Sequence, residues 1–311
     1  MGLDLKLNKD ETKILNDITD VKLLENEACS LRRNGCPLLL RETPFIKIKY
    51  NEETKGYDFY VKENSKKQVL SLPVIVGEGG ITDKVHNNFY IGANAQVVIM
   101  AGCGIHNCHK NKAEHNGVHH FYIESGADVK YIEVHSAKGD KISEKILNPQ
   151  TYINLGSSAC LEMDTIQKAG VSSSIRKTYA KVMDGAKLII KEKIVTKDNQ
   201  EAKSLFEVDM EGVNSSCHLI SRAYATDSSV QDFASCIKGN NKCYAHSECD
   251  AIINGGARVV AKPIVEANNE NAKLVHEATI GKISKEQLLK LMTLGLSEKE
   301  AEKVIIDGFL K

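Results

Sequence analysis

The sequence predicts a mainly β fold, a solenoid of stacked coils with helical pieces at both ends. The first observation is a change of character near Pro44. From there the chain becomes short β runs broken by Gly, Ala, Asn and Asp for most of its length. The second is a repeat inside these runs. A small residue, often preceded by Gly or Asn, is followed two places on by an apolar one. The instances are Ala95/Val97, Ala127/Val129, Ala159/Leu161, Ala186/Leu188, Ser215/Cys217, Ser228/Val230, Ala257/Val259 and Ala272/Leu274. The third is the period. Positions 95, 127, 159, 186 and 215 are separated by 32, 32, 27 and 29 residues, and later steps fall to 13 and 15. Such a spacing fits coils with two flattened faces, a small residue at each tight corner and an apolar one in the core. An ordinary β-sandwich has similar turns but no reason to keep a period.

Residues 1 to 34 read as helix. Ile14, Leu15, Ile18, Val21 and Leu24 fall at helical spacing, Ala28 and Leu31 continue the face, and Arg32-Arg33-Asn34-Gly35 followed by Pro37 resembles a helix stop. This helix is expected to dock on the main body. Ile46 to Tyr50 and Tyr57 to Val61 alternate apolar and polar residues, as half-buried strands do. After Ile280 helix returns. Ser284 with Gln287, and Ser297 with Glu300, each have the form of a capping box. Leu288 and Leu291 on one helix, with Val304 and Ile305 on the next, give an αα-hairpin an apolar face. That hairpin either caps the open end of the solenoid or presents a surface to a partner. The divisions are therefore a helical segment over 1–43, a β core over 44–280 and a helical hairpin over 281–311.

Lys+Arg and Asp+Glu both number 41, so the basic excess of a nucleic-acid-binding protein is missing. Trp is absent and aromatics are 5%, which disfavours a sugar-stacking β-helix enzyme. Met1 to Asp10 has no apolar core of a signal peptide, and the apolar run Val97 to Ile105 is too short to span a bilayer. A cytoplasmic protein without membrane contact is expected. There the nine cysteines serve as packing residues, metal ligands or sulfur carriers rather than as a disulfide framework. No phosphate loop, Gly-x-Ser-x-Gly or dinucleotide fingerprint occurs, so the chain should not hydrolyse nucleotide by itself.

Two groups of residues have the chemistry of metal ligands. Cys249 opens one stretch and His276-Glu277 closes it; thiolate, imidazole and carboxylate can share an iron site. The 27 residues from 249 to 276 are too many for a compact zinc loop. The two ends can meet only if the backbone goes out and returns, as a solenoid coil does. The other group is Cys103, His106, Cys108 and His109, with His115, His119 and His120 beyond. It is either a zinc-type set or a polar loop with solvated imidazoles. Cys217, Cys236, Cys243 and Cys249 match no ferredoxin spacing.

Val275-His276-Glu277-Ala278-Thr279-Ile280-Gly281-Lys282-Ile283, Glu286-Gln287-Leu288, Gly295-Leu296-Ser297-Glu298-Lys299-Glu300-Ala301 and Gly308-Phe309-Leu310 together resemble the C-terminal signature of the SufB/SufD iron–sulfur cluster assembly scaffolds. The likeness is strongest from Cys249 onward. It implies a right-handed parallel β-helix with N- and C-terminal helical pieces. It implies a SufC-type ABC ATPase bound at the C-terminal helices, and a dimer whose interface builds the cluster from iron and sulfur, the sulfur delivered by a cysteine desulfurase. Cys249, in its Cys-Asp-Ala run, matches the SufB cysteine, and His276-Glu277 matches the SufB His-Glu pair. The resemblance casts Cys249 as thiolate ligand or sulfur acceptor, Glu277 as oxygen ligand, and His276 as ligand or as the base that activates Cys249. SufD-type chains generally lack this complete set.

The chain departs from SufB in its shorter N-terminal part. It also lacks a second cysteine in Asn254-Gly255-Gly256-Ala257. The shortness suggests a minimal system in which one scaffold serves both roles as a homodimer. The expectation is a cluster-assembly scaffold, not a turnover enzyme. The alternatives are a SufD-like structural subunit without a cluster and, further off, a β-helix enzyme.

Overall fold

The computed structural model describes residues 5–20 and 23–311. Among these the chain forms two ten-stranded sheets. The first sheet contains the parallel strands Gln68–Val76, Gln96–Asn107, Asp128–Gly139, Cys160–Gln167, Lys187–Thr196, Ser215–Ala225, Cys243–Ile253 and Lys273–Gly281. The second contains Thr82–Ile91, Ala113–Ile123, Gln150–Leu155, Ser173–Val182, Glu201–Met210, Val230–Gly239 and Arg258–Ala267. Successive strands alternate between the sheets, so each coil lends one strand to each face. This is the expected solenoid.

The register explains the repeat. Val97, Val129, Leu161, Leu188 and Cys217 are paired in turn along the first sheet, so the repeated apolar position is one column of the core. Three residues before each lies a left-handed corner: Asn94 (φ 56°), Gly126 (70°), Ser158 (58°), Gly185 (63°) and Asn214 (57°). Gly takes this conformation freely and Asn at small cost, which is why they recur there. The residue after each corner, Ala95, Ala127, Ala159, Ala186 or Ser215, is at most 1% exposed, and a larger side chain would have no room. The Ser228/Val230 instance is displaced by one. Ser229 is the buried corner residue, and Gln231, not Val230, points inward.

Aliphatic columns and one aromatic ladder fill the interior. Phe59, Phe89 and Phe121 stack on successive coils with ring centroids 5.1 and 4.6 Å apart. Each ring buried contributes about 1.5–3 kcal/mol of transfer free energy.

The N-terminal helical spacing holds only in part. Helix α1 (Lys9–Ile18) is capped by Asn8 and buries Ile14, Leu15 and Ile18; α2 (Leu23–Asn26) is one turn, and Val21 lies outside the described residues. Ala28 and Leu31 do not continue the helix. Ala28–Arg33 is a strand that pairs in parallel with Gln68–Val76, and Cys36–Arg41 returns antiparallel to it. Asn34 (φ 51°) and Gly35 (φ 82°) form the tight hairpin turn that the sequence disguised as a helix stop. Sheet pairing of an almost wholly buried strand outweighs helical spacing here. The expected docking of α1 does occur, on the outer face of the first sheet at Gly102 and Gly104. A Cβ on Gly104 would lie 2.1 Å from Ile14 Cγ2.

Ile46–Asn51 and Gly56–Val61 form the expected antiparallel pair. Arg258–Ala267 is one continuous strand. Pro263 is tolerated in it because it is the edge strand of its sheet. At the C-terminus α3 (Lys285–Thr293) and α4 (Glu298–Phe309) form the hairpin. The capping box of α4 is made, whereas Ser284 heads α3 without a side-chain capping bond. Among the described residues no helix is long and apolar enough to cross a membrane.

Candidate functional site

The strand Cys243–Ile253 alternates between interior and surface. Cys243, Ala245, Ser247 and Cys249 point in, and Tyr244, His246, Glu248 and Asp250 point out. Cys249 is 1% exposed, with Ser221 and Ala278 at its level on the flanking strands. Burial pushes its thiol up to about 12, and the Glu192 and Asp250 carboxylates add to the rise. It is therefore a neutral thiol, which a coordinating metal ion would deprotonate.

His276 and Glu277 lie on the neighbouring strand Lys273–Gly281. Being adjacent on a strand, they face opposite ways. His276 pairs with Ser247, which turns it to the inward face, diagonally next to Cys249. Its Nδ1 has no hydrogen-bond partner, and burial holds the ring below the usual histidine range. Glu277 pairs with Glu248 on the outer face, where its side chain is 66% exposed. Its carboxylate there is 3.7 Å from His246 Nε2, and His246 Nδ1 is 3.0 Å from His218 Nε2. The three residues thus share two adjacent strands but not one face. Cys249 and His276 lie on the inside, and Glu277 extends a surface column of His218 and His246.

This is also where the solenoid stops. Lys273–Gly281 and Arg258–Ala267 are the outermost strands of their sheets. The core-facing Ala261, Ala272 and Leu274 are only partly buried, and Ile264, Val265 and Ile280 are exposed. The helical hairpin docks beside this end. Arg222 Nη1 donates to the Phe309 carbonyl at 3.1 Å, and Glu302 accepts from Tyr224 Oη at 3.3 Å and Asn254 Nδ2 at 2.9 Å. Leu288, Leu291 and Ile305 are half-buried, while Val304 is exposed with Leu289, Met292 and Leu294.

A family model described as the SufBD core domain of the SUF system for FeS cluster assembly matches residues 76–309. The chain belongs to the SufBD family. An iron–sulfur cluster assembly SufBD family protein of Methanothermobacter thermautotrophicus is 26% identical over 263 residues, covering 83% of this chain and 63% of the relative. One from Pyrococcus horikoshii is 25% identical over 324 residues, covering 94% of this chain and 89% of the relative. One from Methanocaldococcus jannaschii is 38% identical over 104 residues, 33% of each chain. The chain thus spans less than two thirds of the Methanothermobacter relative.

In this SufBD chain the group Cys103, His106 and Cys108 does not converge. Cys103 points into the solenoid; His106 and Cys108 lie outside it, with Cys108 Sγ 3.8 Å from His106 Nε2. Cys103 instead meets residues from other coils. Its register partner is His135, and His115 reaches it from the second sheet. Burial pushes the Cys103 thiol up, but the two imidazoles outweigh burial and hold it at about 7. Burial works to lower His115, while Cys103 and Asp83 raise it to about 10; the Asp83 carboxylate is 2.9 Å from its Nδ1.

From there a polar file runs through the interior. His135 Nε2 lies 3.4 Å from Glu133, and Glu133 accepts from Tyr131 Oη at 3.0 Å. Arg176 lies between Glu133 at 2.7 Å and Glu192 at 3.5 Å. Glu192 accepts from Ser204 and Ser221, and Ser221 is level with Cys249. Glu133, His135, Arg176 and Glu192 were missed in the sequence. The signal available was parity: in Val129-Lys130-Tyr131-Ile132-Glu133-Val134-His135 the Glu and His fall on the same face as core-facing Val129.

Proposed function

We propose that this chain is a scaffold on which an iron–sulfur cluster is assembled and from which it passes to apo-proteins. The terminal coil supports this most directly. Cys249 and His276 share the inward face of the last two strands of their sheet, Glu277 stands on the outer side, and each sheet ends here in an open edge strand. A second copy of the chain meeting this end would cover the exposed Ile264, Val265 and Ile280 and enclose the three groups between subunits. We take the working form to be such a homodimer. Mixed sulfur, nitrogen and oxygen ligation suits a cargo that must leave, because a full cysteine set would retain it. A SufC-type ABC ATPase is the proposed partner, docked on the exposed apolar residues of the α3–α4 hairpin. It would supply the movement that opens the site. A cysteine desulfurase is the proposed sulfur donor. Nine free cysteines suit the reducing cytoplasm as the site of action.

Anaerobic reconstitution with iron and sulfide tests the proposal, read as acid-labile sulfide per chain. Cys249→Ala and Glu277→Ala should lose most of the sulfide while keeping the parent's fold, and Cys108→Ala should keep it. Loss in Cys108→Ala with retention in Cys249→Ala would reject the assignment. One observation favours a structural subunit without a cluster: Cys249 is buried as a neutral thiol. Parent protein that takes up no sulfide would decide for that alternative.

A further inference from the structure

We infer that the interior of the solenoid holds a second, separate metal site, in which Cys103, Glu133 and His135 bind one divalent first-row transition ion of the Zn(II) or Fe(II) class. The inference does not rest on the cluster proposal. The sulfur, a carboxylate oxygen and a ring nitrogen of these residues lie within 4.8 Å of one another. All three are enclosed, at 5%, 2% and 1% exposure respectively. They come from two adjacent strands, Gln96–Asn107 and Asp128–Gly139, whose register stacks Cys103 on His135. Rigid strands hold such a set better than a surface loop could.

Two further observations indicate a ligand. Neither ring nitrogen of His135 makes a well-directed hydrogen bond, although the ring is buried and its Nε2 lies 3.4 Å from Glu133. Burying a polar atom without a good partner is unfavourable, and a metal bond would relieve one of the two ring nitrogens. The second observation is charge. Glu133 and Glu192 share the single guanidinium of Arg176, while Asp83 is paired with Arg32 at 2.8 Å. Three carboxylates face two arginines, and the His115 imidazole beside Asp83 supplies the third positive charge in the metal-free protein. A divalent ion together with the Cys103 thiolate carries the same net charge and can take the place of that proton. A thiolate, an imidazole and a carboxylate form a borderline donor set that fits Zn(II), Fe(II) or Co(II) and disfavours Mg(II) and Ca(II). His115 also reaches Cys103. Its Nδ1 is engaged by Asp83, the carboxylate–histidine pairing that orients a ligating imidazole and leaves Nε2 for the metal.

The test uses the full chain with the exposed thiols removed (Cys36→Ser, Cys108→Ser), stripped of metal and titrated anaerobically with Co(II). The expected result is a thiolate-to-cobalt charge-transfer band that saturates at about one ion per chain and is displaced by Zn(II). The band should persist in Cys249→Ala and vanish in Cys103→Ser, with affinity reduced at least about tenfold in Glu133→Gln and His135→Ala. No band, a band that survives Cys103→Ser, or one lost in Cys249→Ala would overturn the inference. X-ray absorption of the Zn(II)-loaded Cys249→Ala protein needs no variant at the site. It should show one sulfur and at least one imidazole, and a shell with no sulfur, or with two or more, would equally overturn it.

Discussion

At its N-terminal end the solenoid is closed by its own chain, and at its C-terminal end it is not. Ile46, Tyr57 and Phe59 in the first coils are at most 5% exposed, each sheet ends there in an antiparallel hairpin, and α1 covers the outer face at Gly102 and Gly104. In the last coil the equivalent core-facing positions, Ala261, Ala272 and Leu274, are only half covered. The hairpin that could have sealed them docks at Arg222, Tyr224 and Asn254 instead. A stack of coils has two ends to protect, and here only one is protected from within. The residues whose types suit an iron ligand set, Cys249, His276 and Glu277, lie at the other.

The comparison breaks most visibly on core truncation. Phe121→Ala, in the middle of the aromatic ladder, should cost about 3–5 kcal/mol in urea unfolding, whereas Leu274→Ala in the terminal coil should cost about 1 kcal/mol. Equal losses would mean that the last coil is as well packed as the rest. The next effect is at the covered end. Gly104→Val drives a side chain into Ile14 and should cost about 1–3 kcal/mol. Hydrogen exchange should show lost protection in residues 9–18 with the sheets intact; unchanged protection there would remove α1 from the seal. The smallest effect on folding is at the open end. Ile264→Lys with Val265→Lys should change stability by less than about 0.5 kcal/mol, since both are already exposed. It should nevertheless convert a dimer to a monomer in light scattering. A parent that is monomeric at micromolar concentration, or a double variant that stays dimeric, rules out this end as the meeting surface.

Much of this was legible in the sequence because the corner carries a chemical signature. Asn94-Ala95, Gly126-Ala127 and Gly185-Ala186 each pair a residue that accepts positive φ with one small enough for the inside of the bend. What was not legible follows from pairing. Ala28 and Leu31 have helical spacing, and only the neighbouring strand Gln68–Val76 makes them sheet. Cys103, His106 and Cys108 are close in sequence, yet alternation along a strand sends Cys103 one way and His106 the other. The same rule separates His276 from Glu277, and it is readable from their adjacency in the sequence alone. The partnership of Cys103 with His135 and Glu133 depends on a register that no single strand encodes.

The left-handed corner has one more consequence. Neighbouring coils differ in length, with steps of 32 residues from Val129 to Leu161 and 27 from Leu161 to Leu188, yet at the five corners from Asn94 to Asn214 the distance from corner to inward residue stays at three. The surplus is taken up farther along each coil. Insertions and deletions are therefore tolerable on one side of the molecule and disruptive on the other. Losing a single residue between Ser158 and Leu161 would flip the parity of the strand that follows and turn its core side chains to solvent. Variation in length among descendants of this chain should accumulate away from the column of Asn94, Gly126, Ser158, Gly185 and Asn214, which acts as the ruler from which these five coils are measured.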